Sequence, residues 1–115
     1  MVDVEDVFEK AGGKVSPKVR TIITPATREV MLACAKAGYI EKFLEGGVVF
    51  TNPTCALCTA EHYGALPSGD VGCSTTNRNF IGKVGKGSHT YLLSPASAMA
   101  TAVKGVITDP RDIIC

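Results

Sequence analysis

The chain has 115 residues, 45% of them hydrophobic and 20% charged, and carries a formal net charge of +1. That length supports one modest core and a single domain, and no apolar run approaches the roughly eighteen residues of a membrane span. The N-terminal stretch "MVDVEDVFEK" is acidic and helical in pattern, which is wrong for a secretory signal. Five cysteines without such a signal point to a reducing, cytoplasmic compartment and to free or metal-ligating thiols.

In chain order, Val4, Val7, Phe8 and Ala11 recur at helical spacing, so residues 3–11 form an amphipathic helix stopped by Gly12 and Gly13. "VRTIIT" (19–24) is β-branched and apolar, and reads as a strand. Thr24 and Pro25 then give a cap and a proline at the first helical position. Val30, Ala33, Cys34 and Ala37 form the expected buried stripe of that helix, with Gly38 ending it. A short helix over 40–45 stops at Gly46 and Gly47, and "VVFT" (48–51) is the next strand. "VGCST" (71–75) and "TYLLS" (90–94) are further strands. Ser94 and Pro95 repeat the cap-then-proline signal for a helix reaching Lys104, and "VIT" (106–108) is the last strand candidate.

This order predicts an α/β architecture: a three-layer α/β/α domain with a mainly parallel sheet. Ligands of such sheets sit beyond the carboxyl ends of the strands. Both loops rich in chemistry, 52–61 and 76–88, leave such ends and are expected to converge.

Charge is distributed unevenly. No Asp or Glu occurs from residue 71 to 108, whereas Arg78, Lys83, Lys86 and Lys104 all do. The other eight basic residues face eleven acidic ones. A cationic stretch on a near-neutral chain suits an anionic ligand, although by charge alone a solvated loop is the favoured reading.

Cys55-Ala56-Leu57-Cys58 is ambiguous by itself. A zinc site needs four ligands, and Cys73, His62 and His89 stand at no common zinc spacing. A redox dithiol belongs at a helix N-terminus, but Asn52-Pro53-Thr54 intervenes after the strand and no cation lies nearby in sequence. Two small buried thiols remain a third reading. For an iron–sulfur cluster the pair supplies two thiolates and needs more from elsewhere. Cys34 falls on the apolar helix stripe, Cys73 in a strand, and Cys115 at the end of the chain.

"NPTCALC", "STTNRNFIGKVG" and "YLLSPASAMATAVKGVITDP", in that order, resemble the large iron–sulfur subunit of the aconitase superfamily, in its isopropylmalate and homoaconitate dehydratase branch. The likeness covers residues 15–110, and the three pieces together are specific where each alone is not. It implies a hydro-lyase holding a [4Fe–4S] cluster on three cysteines, with one iron open as a Lewis acid toward the substrate's hydroxyl and carboxylate. Two ligands map onto Cys55 and Cys58, and the third belongs to a preceding domain. Asn77 maps onto an asparagine beside the cluster. Arg78 maps onto the arginine that takes a substrate carboxylate, a match for the guanidinium fork. Lys83 stands where the family usually has a second arginine, keeping the charge but not the fork. Ala56-Leu57 replace the usual Gly-Pro, and Asp70 stands in place of a common glutamate.

The implied substrate is a small di- or tricarboxylic hydroxy acid: 3-isopropylmalate, homoaconitate or a related malate. The implied partners are the remaining large-subunit domains and a small swivelling subunit bearing the serine base. No acid–base catalyst maps onto this chain, which alone is expected to be silent and without its cluster. Two alternatives stand beside this reading. One is a free-standing dithiol or zinc protein. The other is a non-catalytic module holding an anion or RNA on residues 76–88, where Phe80 alone supplies an aromatic face and so disfavours nucleic acid.

Overall fold

The computed structural model describes residues 2–54, 68–75 and 88–114. The chain divides into two compact units, one of Met1–Pro53 with Pro95–Cys115 and one of Thr54–Ser94. The architecture is α/β with parallel strand pairing.

In the first unit, α1 (Val2–Lys10) presents Val7 and Phe8 to the core at helical spacing, with Val4 packed at its margin. The two glycines end it as expected. Gly13, at φ +74°, donates its N–H to the Phe8 carbonyl at 2.9 Å, a left-handed turn that costs glycine little. Strand β1 (Ile22–Ile23) pairs in parallel with β2 (Val49–Phe50), in the register Ile22–Val49 and Ile23–Phe50. Between them lie α2 (Arg28–Lys36) and α3 (Tyr39–Glu45). The chain returns to this unit in α4 (Pro95–Lys104), which packs on α1, and closes with α5 (Arg111–Ile114).

The core joins Val7, Phe8, Phe43, Val48, Met99, Ala100 and Ala102. Phe43 meets Phe8 edge-on, with ring centres 5.1 Å apart, and stacks on Phe50 at 6.3 Å. Each such ring contributes about 1.5–3 kcal/mol when fully buried. At the margin of this core, Lys42 of α3 reaches Glu5 of α1 at 3.0 Å and also contacts Glu9. The Glu5 side chain is only 7% exposed, so the pair spares a buried carboxylate from standing alone.

Three expectations are corrected. Thr24 does not cap α2: Thr27 does, its hydroxyl accepting the Val30 N–H at 3.1 Å, because the Thr24 hydroxyl is engaged by Thr51 and Pro25 is buried. The helix therefore starts three residues later, and Val30, Met31 and Cys34 turn inward while Ala33 and Ala37 face solvent. Residues 106–108 join no strand among the described residues: a bend spans 105–106, and the Thr108 N–H is taken by the Thr101 hydroxyl.

In the second unit, β3 (Val71–Ser74) and β4 (His89–Leu92) pair in parallel, from Val71–His89 to Ser74–Leu92. Backbone bonds extend the ladder at both ends, from the His89 N–H to the Asp70 carbonyl (2.9 Å) and from the Leu93 N–H to the Ser74 carbonyl (2.8 Å).

Candidate functional site

Cys55, Cys58, Asn77, Arg78 and Lys83, the residues singled out by sequence, lie outside the described residues. The strand ends that lead to them are described. β2 ends at Phe50, and Thr51 continues its pairing through an N–H donated to the Ile23 carbonyl at 3.0 Å. Four residues later the chain reaches Cys55.

The Thr51 hydroxyl lies 2.8 Å from that of Thr24, so the carboxyl ends of β1 and β2 are tied by side chains as well as backbone. A threonine one residue beyond each of two parallel strands is a visible signal. It becomes a pair only once the register is known, which is why sequence reasoning missed it. In the second unit β3 ends at Ser74, three residues before Asn77. Each chemistry-bearing segment thus follows in sequence the carboxyl end of a parallel strand, the position at which α/β sheets place ligands.

The described cysteines sort themselves by environment. Cys34 is 3% exposed within α2 and acts as a small apolar core residue. Cys73 is half-buried in β3, aligned with Tyr91, and desolvation raises its thiol pKa above the ordinary value. Metal ligation needs the thiolate, which that environment disfavours. Among the described residues, no three His, Cys, Asp or Glu side chains converge as a metal site, and no helix is long and apolar enough to cross a membrane.

Comparison with known proteins adds a family. Residues 1–105 match the family described as Aconitase family (aconitate hydratase). The chain is 48% identical over 100 residues to a protein of Geobacter metallireducens called 3-isopropylmalate dehydratase large subunit, an alignment covering 87% of this chain and 23% of that protein. Proteins with the same name from Caldanaerobacter subterraneus and Campylobacter curvus are each 48% identical over 103 residues. Those alignments cover 89% of this chain and 25% and 24% of the relatives. The chain therefore spans about a quarter of the length of the curated relatives it matches.

Proposed function

Because the chain belongs to the aconitase family, we propose that it is one α/β domain of a hydro-lyase large subunit, which dehydrates and rehydrates a small hydroxy di- or tricarboxylate such as 3-isopropylmalate. The observation that carries this is the 48% identity to dehydratase large subunits across 87–89% of the chain. In this reading the domain works with the remainder of a large subunit and with a small subunit, and alone it has no activity.

The donor chemistry fits an iron–sulfur cluster. Cys55 and Cys58 are the paired thiolates that the family resemblance implies, with a third expected from another domain, while Cys34 is buried in α2 and Cys73 half-buried in β3. When bound, the cluster supplies a Lewis-acidic iron for the substrate's hydroxyl and carboxylate.

The chain's own residues then have distinct tasks. Arg78 grips a substrate carboxylate through two parallel N–H donors and so fixes the plane of the bound acid. Lys83 adds a point charge that attracts a second anionic group without dictating its orientation. Asn77, one residue before Arg78, donates its amide hydrogens beside the cluster. The Thr24–Thr51 tie holds the base of the cysteine loop.

The test is a chimera in which this chain replaces the matched quarter of the Geobacter metallireducens large subunit. After anaerobic reconstitution, Cys55→Ser and Cys58→Ser should each lose most of the bound iron, sulfide and visible absorbance, whereas Cys34→Ser and Cys73→Ser retain them. Equal iron retention in all four variants refutes the assignment.

A further inference from the structure

The first unit closes on itself from two separate stretches of chain. Every residue of its buried core, and every half-buried one packed against that core, lies in Met1–Pro53 or Pro95–Cys115. The packing of α4 on α1 joins the two stretches, and so does the Ser16 N–H, donated to the Ala102 carbonyl at 2.8 Å. Gly105 lies so close to Ser16 that a Cβ on it would stand 2.9 Å from the serine hydroxyl. Phe8, Phe43, Val48 and Met99 are all buried there, and each such side chain contributes about 1.5–3 kcal/mol.

The described strands of the second unit rest on a different force. Their parallel ladder runs from the His89 N–H on the Asp70 carbonyl to the Leu93 N–H on the Ser74 carbonyl. Among the described residues 68–75 and 88–94, no hydrophobic side chain is buried, and Val71, Tyr91 and Leu92 are 61%, 50% and 44% exposed. Gly72 in the middle of β3 has no side chain to pack. A ladder hydrogen bond contributes only about 0.5–1.5 kcal/mol net, and a two-stranded sheet is marginal in water by itself.

We propose that this chain has two levels of stability: the β3–β4 ladder opens in a local step while the core of the first unit stays folded. Proteins open in cooperative pieces, and the pieces with few buried apolar side chains open first. Here the division follows the chain, because the core takes its residues from either side of 54–94. Any ligand that binds only the closed ladder then shifts this local equilibrium by mass action and leaves the core untouched. The inference stands apart from the dehydratase reading, since it concerns the chain without metal or substrate.

Native-state hydrogen exchange on the isolated 115-residue chain, in metal-free buffer with increasing sub-denaturing urea, tests it. The Ser16 and Val48 amides report on the core, and those of His89 and Leu93 on the ladder. The ladder amides should show protection at least about a hundredfold lower, with a weaker dependence on urea. Tyr91→Ala removes the cross-strand partner of Cys73 and should speed ladder exchange about fivefold while leaving Ser16 and Val48 within about twofold. Phe43→Leu should do the reverse, lowering core protection about tenfold with little change at His89 and Leu93. Three results would overturn the proposal: one common protection and urea dependence for both sets, either substitution moving both sets equally, or a ladder that outlasts the core.

Discussion

The hydroxyls of Thr24 and Thr51 stand 2.8 Å apart at the carboxyl ends of two parallel strands, four residues ahead of Cys55 in sequence for Thr51. The Thr51 hydroxyl also lies 3.4 Å from the Ile23 carbonyl and 3.3 Å from that of Asn52, so it knits the strand end to the start of the loop. Replacing it by the isosteric valine leaves the Thr24 hydroxyl without this partner. Thr51→Val should cost about 0.5–1.5 kcal/mol in the isolated chain. The double variant Thr24→Val with Thr51→Val should recover part of that loss, because removing both partners strands neither. Thermal melts of the three variants provide the check, and strictly additive losses would dismiss the tie.

How far this architecture was legible in the sequence depends on which physical signal each element used. α1, α3 and α4 carried glycine stops, β3 was a weaker strand signal, and the boundaries of all four fall within one residue of expectation. Parallel pairing was legible too, since helices separate β1 from β2. The start of α2 was not. Thr24-Pro25 and Thr27-Arg28 are both plausible openings locally, and the choice is made by Thr51, 27 residues away. Residues 106–108 failed as a strand for the same reason: β propensity was outweighed by a hydrogen bond to Thr101. The candidate site was readable only as motif, and Cys55, Cys58, Asn77, Arg78 and Lys83 lie outside the described residues.

Gly46 is required for room rather than for an unusual backbone. Its φ is −81°, an ordinary helical value, yet a Cβ there would run into the Phe8 ring and stand 2.5 Å from the Gly13 carbonyl oxygen. The backbone atom cannot yield without disturbing the turn that ends α1. Gly46→Ala should therefore destabilise the chain by about 1–3 kcal/mol, as overpacked cores do. Gly38→Ala, where the Cβ meets open space, isolates the separate cost of a left-handed backbone at φ +80°. If Gly46→Ala melts with the parent chain, the α1–α3 packing described above is wrong.

Asp109 should give the chain an acid-sensitive component of stability. Hydrogen bonds from the Arg111 side chain and backbone hold its carboxyl pKa down to about 2, below the ordinary carboxylate value. A carboxyl whose pKa is depressed on folding stabilises the fold above its unfolded pKa, and that contribution is lost as pH falls through the folded value. The window therefore runs from about pH 4 to about pH 2. Asp109→Asn keeps an oxygen for the Arg111 N–H but removes the charge. The melting-temperature gap between parent and variant should be small, because the pair is exposed, and should close on acidification through this window. A gap of constant size from pH 5 to pH 2 would leave the ion pair without a role.

Arg78 and Lys83 should respond oppositely to exchange of one cation for the other. If Arg78 has the proposed carboxylate-binding role, Arg78→Lys in the chimera with its small subunit removes one of two parallel donors while keeping the charge. Losing a charge-assisted hydrogen bond costs about 1.5–3 kcal/mol, on the order of a tenfold to hundredfold effect. Because the fork orients the substrate as well as holding it, both turnover and the Michaelis constant should suffer. Lys83 supplies charge without a fork, so Lys83→Arg should shift preference among substituted malates more than it slows the best of them. The alternative is that both cations only brace a loop containing Gly82, Gly85 and Gly87. Steady-state kinetics and melting curves on the same variants separate the two. If Arg78→Lys leaves both kinetic constants within about twofold while the melting temperature falls by several degrees, the carboxylate-binding role is lost and the bracing role replaces it.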